Sequence, residues 1–91
     1  MSNYIQELQK RLNEALPGLE PELLDLYTLL AFTKGIETTL EDVHDAWAIW
    51  KNRILPDHQS LIPFDQLHPS IQELDRKYMK AIRKVSESYD G

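Results

Sequence analysis

Apolar residues recur at three- and four-residue steps through most of this 91-residue chain, and prolines and glycines stand where each periodic run stops. That spacing draws a stripe along one face of a helix, whereas a strand would alternate every two residues. Ile5, Leu8 and Leu12 with Ala15 or Leu16 form the first stripe, and Pro17-Gly18 ends it. A second helix opens at Pro21, where a missing N–H costs nothing, and runs to Lys34 with Gly35 as the stop. Its seven large apolar residues, from Leu23 to Phe32, spread around the helix, which predicts a central element buried on more than one side.

Thr38 followed by Glu41 predicts a reciprocal capping box at the start of a third helix, with Thr39 and Asp42 as the alternative frame. Leu40, Val43, Trp47, Trp50 and Ile54 then form its stripe, His44, Ala48 and Lys51 fall beside it, and Pro56 closes it. Pro69 starts a last helix to about Ser88, with Ile71, Leu74, Tyr78, Ile82 and Val85 in register. Between the two, residues 57–67 read as an ordered loop packed on the core. The expected fold is all-α: a single small domain of about four helices with one long loop.

With no cysteine, neither disulfides nor thiolate metal sites can hold this core, and apolar packing must do so. The formal charge of -5, from 10 basic and 15 acidic residues, argues against the basic footprint of a protein that grips duplex nucleic acid. No stretch approaches the roughly 18 apolar residues of a membrane span. The start, Met1-Ser2-Asn3-Tyr4, lacks the basic and apolar segments of a secretory leader, so the expected location is cytoplasmic.

Residues 76–84 hold five basic side chains and no acid, a positive face that would suit phosphate. A solvated face explains it too, because in all four helices acids come early and bases late, as the helix dipole favours. His44, His58 and His68 lack the paired spacing of metal ligands, so no metal or other cofactor is expected. Asp57, His58 and Ser60 are neighbours on one loop, an arrangement that seldom converges into a nucleophilic triad. Trp47, in mid-stripe, reads as core, and Trp50, near the helix end, as the tryptophan with an exposed edge.

One longer pattern stands out: Val43-His44-x-x-Trp47, then His58-x-x-Leu61-Ile62-Pro63-Phe64-x-x-Leu67, then Leu74-Asp75-Arg76. It resembles the RyR domain, the module repeated in ryanodine receptors and also found in bacterial and phage proteins. Phe64 stands where that family usually has Tyr, and Lys51 to Asp57 replaces a longer insert, so the likeness is to a shortened version. The resemblance implies a helical pair, residues 1–35, packed on an RyR-like module, residues 36–91, as one cooperative unit.

It also implies a non-enzymatic module that binds a small nucleotide-derived anion, which in a phage would mean sequestering a host defence signal. The implied ligand-binding residues are His44, Trp47, Trp50, His58, Phe64, Arg76, Lys80 and Arg83, converging on a groove between the 57–67 loop, the tryptophans and the basic face. The competing expectation is a protein-interaction or assembly module, in which the first two helices pair with another chain, a homo-oligomer included.

Overall fold

Every helix but the last begins where a side chain or a proline relieves the free N–H groups of a first turn. The computed structural model describes residues 3–89. Met1 and Ser2, half of the segment read above for a leader, lie outside the described residues. Asn3 caps α1 (Tyr4–Ala15), its side chain accepting from the Gln6 N–H at 2.9 Å while Gln6 reaches back to the Asn3 N–H at 3.1 Å. Helix α2 (Pro21–Thr33) starts on its proline, and Gly35, at φ +56°, takes the left-handed conformation that turns the chain away after it.

Helix α3 (Leu40–Ile54) takes the later of its two capping frames. The Thr39 side chain accepts from the Asp42 N–H at 3.1 Å, and the Asp42 carboxylate accepts from the Thr39 N–H at 2.9 Å. Thr38, expected as the cap, is fully buried instead. Its hydroxyl donates to the Gly35 carbonyl and its own carbonyl accepts from Arg83 Nε, both at 2.7 Å. A threonine held from two sides inside the fold is not free to cap, and that corrects the expectation.

The last helix is also revised. It is two helices, α4 (Pro69–Gln72) and α5 (Arg76–Ser88), joined by a 3-10 turn at Glu73–Asp75. A 3-10 turn advances about 120° per residue against about 100° for an α-helix, so three residues rotate the following face by about 60°. The predicted single stripe is thereby divided. Met79, Ile82 and Val85 enter the core, while Ile71 and Leu74 are 37% and 65% exposed.

Helix α2 is central, as its apolar girth predicts, and packs against α1, α3 and α5. The core gathers Leu8, Leu12 and Leu16 from the α1 side, Leu23, Tyr27 and Ala31 from α2, Val43 and Ala46 from α3, and the three α5 residues just named. Arg11 donates to the Ser88 carbonyl at 3.0 Å, tying α1 to the end of α5. The loop between α3 and α4 is pinned by two bonds: His44 Nε2 to the Ile62 carbonyl, 2.8 Å, and Gln72 Nε2 to the Phe64 carbonyl, 2.9 Å. It reaches the interior through Leu67, while Ile62 and Pro63 stay exposed. Among the described residues the fold is all-α with no strand, and no helix is long and apolar enough to cross a membrane.

The two threonines are separable by substitution. Thr39→Ala should lower stability by about 1 kcal/mol, the usual worth of an N-cap, measured as the midpoint of chemical denaturation. Thr38→Ala should cost more, about 2 kcal/mol, since it empties a fully buried site and removes a hydrogen bond.

Candidate cleft lined by aromatic side chains

Dividing the last helix at its 3-10 turn leaves an opening that no core residue fills. Ile71, Leu74 and Tyr78 face it from one side and α3 from the other, and the result is a cleft of about 690 Å³. That size lies within the usual range for small-molecule sites. Helix α3 supplies His44, Trp47 and Trp50, and the loop after it supplies His58 and Ser60. Leu23 and Tyr27 come from α2, and Gly18 to Glu20 form the lip. Gly18 has φ +89°, a backbone conformation that L side chains rarely adopt.

The walls are stacked rings. His44 lies on Trp47 with centroids 5.8 Å apart and planes 27° apart, Trp47 meets His58 edge-on at 5.3 Å, and Tyr27 meets Tyr78 at 5.7 Å. His44 is buried, and because a carbonyl only accepts, its bond to Ile62 puts a proton on Nε2. His58 Nδ1 accepts from the Ser60 backbone N–H at 3.0 Å. The bond therefore runs to the main chain of Ser60 and not to its hydroxyl, as a nucleophilic pair would require. Among the described residues, no three His, Asp or Glu side chains are placed to share a metal ion.

Several polar groups that line the cleft have no protein partner among the described residues: the Tyr27 hydroxyl and the Asp75 carboxylate, and with them the Ser60 and Tyr78 hydroxyls and the ring N–H groups of Trp47 and Trp50. Tyr27 is only 1% exposed. No described side-chain oxygen is both fully enclosed and unbonded, so the hydroxyl must open onto the cleft. Burial pushes the Tyr27 phenol well above its usual range, with the Asp75 charge adding to the effect, and it stays a donor at neutral pH. Burial likewise raises the Asp75 carboxyl above its ordinary value, and His44 pulls the other way. Lys77 sits at the exposed edge with its ammonium 4.9 Å from the Tyr78 ring centroid.

The sequence-predicted site residues divide between places. His44, Trp47, Trp50 and His58 converge in this cleft. Phe64, Arg76 and Arg83 edge a separate shallow depression beside the start of α3, and Lys80 is exposed and belongs to neither. Arg76 is engaged by Glu73, with bonds of 2.6 and 3.0 Å, and Arg83 by the Thr38 carbonyl. The single groove joining tryptophans to the basic face is therefore not formed, because the 3-10 turn sends Asp75 and Arg76 to different sides. The tryptophans also exchange roles: Trp50 packs against the core cluster, whereas Trp47 does not. Sequence reasoning missed Tyr27, Asp75, Lys77 and Tyr78. Only Tyr78 had a signal, as part of a stripe on the last helix longer than the core needed.

These features define a small all-helical protein with an aromatic-walled cleft and an acidic, hydrogen-bonding floor. Residues 3–87 match the family described as a domain of unknown function (DUF7701), and the chain belongs to that family. No curated protein and no solved structure matches it. The match runs from α1 into α5, through residues for which the RyR pattern has no counterpart, and no RyR family match is found. The RyR resemblance is thus corrected. Its residues have local reasons: His44 pins the loop, Leu67 anchors it, and Arg76 pairs with Glu73.

The raised Asp75 carboxyl sets a pH dependence. Facing it are His44 from α3, Tyr27 from α2, Tyr78 and Lys77 from α5, and Glu20 at the lip. Since the folded chain holds the Asp75 proton more tightly than the unfolded one, this residue's contribution to stability falls as pH rises through the folded value. Asp75→Asn should therefore raise the melting temperature at pH 7, and the gain should vanish below the ordinary carboxylate value of 3.8. Melting curves of both proteins from pH 3 to 8 check this, and equal melting temperatures at pH 7 would contradict it.

Proposed function

We propose that this chain is a non-enzymatic binding module for a small, flat, nucleobase-like ligand held in the aromatic cleft. One observation carries the reading: an almost fully buried tyrosine hydroxyl and a carboxylate stand unpartnered in a cleft walled by rings. Leaving such groups unbonded costs stability, and proteins keep that cost mainly where a ligand supplies the missing partner. Stacking on Trp47, Trp50 and the tyrosines would hold the ring. A phosphate, if the ligand bears one, would lie at the mouth beside Lys77, the cleft's one lysine or arginine. Of the Arg76 to Lys84 run, only Lys77 has a part in this reading. A soluble metabolite of this kind suits a cytoplasmic setting.

A second reading rests on a different surface. Leu29 and Phe32 on α2 and Ile36 in the turn after it are 57%, 38% and 62% exposed, and the Tyr4 ring packs edge-on against Phe32 at 5.4 Å. Such a patch supports the assembly alternative. Sedimentation at increasing concentration separates the two, since an assembly module would change mass while a ligand module would not.

Because both tryptophans line the cleft, a stacked ligand should quench intrinsic fluorescence. Titration with guanosine, adenosine and their monophosphates should show saturable quenching and a raised melting temperature. Trp47→Ala should lower affinity at least tenfold while costing about 1–3 kcal/mol of stability, less than a core tryptophan would. Arg76→Lys should leave affinity unchanged. Absence of quenching and of a thermal shift with every nucleoside would refute the reading.

A further inference from the structure

The floor of the cleft carries more information than its walls. Stacking walls accept any flat ring, but a fixed set of donors and acceptors accepts only the ring edge that complements it. Two of the unpartnered groups here are opposite in sign. Asp75, once ionised, offers two acceptor oxygens and no donor, and Tyr27 offers an O–H that no protein group occupies. The two are close enough for the Asp75 charge to strengthen the phenol's hold on its proton, yet no hydrogen bond joins them. One cleft thus holds both a donor and a double acceptor.

We infer that the cleft is specific for a guanine-type edge, with Asp75 accepting from the ring N–H and the adjacent exocyclic amino group and Tyr27 donating to the neighbouring carbonyl oxygen. The inference rests on the ring-binding reading above. Among the neutral common bases only guanine presents, side by side, a carbonyl oxygen, a ring N–H and an exocyclic amino group. Adenine and cytosine each place a ring-nitrogen lone pair beside their amino group, where it would oppose a carboxylate oxygen. Uracil and thymine have one N–H between two carbonyls and cannot satisfy both oxygens.

A quaternary or alkyl ammonium is the other ligand that an aromatic cage with a carboxylate can take. Three features favour guanine. A cation has no acceptor for the Tyr27 hydroxyl. Lys77, with its ammonium at the cleft edge, repels a cation and attracts a phosphate. A volume of about 690 Å³ is also large for a small ammonium group and ample for a nucleoside.

Calorimetric titration of the full chain at pH 7.5 with guanosine, inosine, adenosine, xanthosine and choline tests the assignment. Guanosine should bind at least tenfold more tightly than inosine, which lacks the amino group, and than adenosine, since a hydrogen bond to a charged group is worth about that factor or more. In Asp75→Asn one acceptor becomes a donor. Guanosine should then weaken about 100-fold, and xanthosine, with an oxygen where guanine has its amino group, should become the tighter ligand. Tyr27→Phe removes a hydroxyl with no protein partner among the described residues, so it should leave the melting temperature at or above the wild-type value and weaken guanosine about tenfold. Melting curves confirm that each variant is folded before it is titrated.

Adenosine or choline binding as tightly as guanosine would overturn the assignment, as would Asp75→Asn binding guanosine like the wild type. If all nucleosides quench tryptophan fluorescence alike, ring binding survives and guanine specificity fails. If none does, both fall.

Discussion

The 3-10 turn at Glu73–Asp75 decides what every residue after it does. Had residues 69–88 formed one α-helix, Ile71, Leu74, Tyr78, Ile82 and Val85 would share a face and press together on α2. The rotation of about 60° introduced by the tighter turn instead divides that face in two. One part, Met79, Ile82 and Val85, completes the core. The other, Ile71, Leu74 and Tyr78, faces α3 across an opening and becomes a cleft wall. Asp75, the last residue of the turn, is carried to the cleft floor, and Arg76, the first of α5, to the far side.

Where the sequence spoke clearly, it spoke through periodicity. The helix count, the central place of α2 and the core positions Leu8, Leu12, Val43 and Ile82 follow from three- and four-residue spacing. Part of the cleft lining was named through the RyR resemblance and not through periodicity: His44, Trp47, Trp50 and His58 line one cleft. The rest was illegible for stated reasons. A 3-10 turn of Glu-Leu-Asp has no sequence signature distinct from a helix turn, so the stripe seemed continuous and the basic face seemed to adjoin the tryptophans. The capping frame was ambiguous by one residue, and only the burial of Thr38 against Arg83 decides it. The motif that resembled an RyR domain consists of residues that pin one loop, and the family match extends well beyond them.

Stability and site pull in opposite directions at Asp75. Its position among rings makes the ionised form unfavourable, and nothing in the chain repays that by hydrogen bonding. Tyr27 shows the same tension in milder form, contributing its ring to the core while its hydroxyl stays unbonded. The remaining buried polar groups are served differently. Thr28 donates to the Leu24 carbonyl, Thr38 to the Gly35 carbonyl, and His44 to that of Ile62. Among the described residues no enclosed side-chain polar atom lacks a partner, so Tyr27 and Asp75 keep unbonded groups only where the cleft opens them.

The lip of the cleft has a kinetic meaning. Its floor is built from α2, α3 and the start of α5, but its rim at Gly18 to Glu20 and at His58 to Ser60 is loop on both sides. Loop and side-chain motions run from picoseconds to microseconds, whereas parting packed helices takes far longer. Passage in and out of the cleft therefore needs no helix to leave the core. Exchange would be fast, and occupancy would follow the free concentration of whatever enters without a slow opening step.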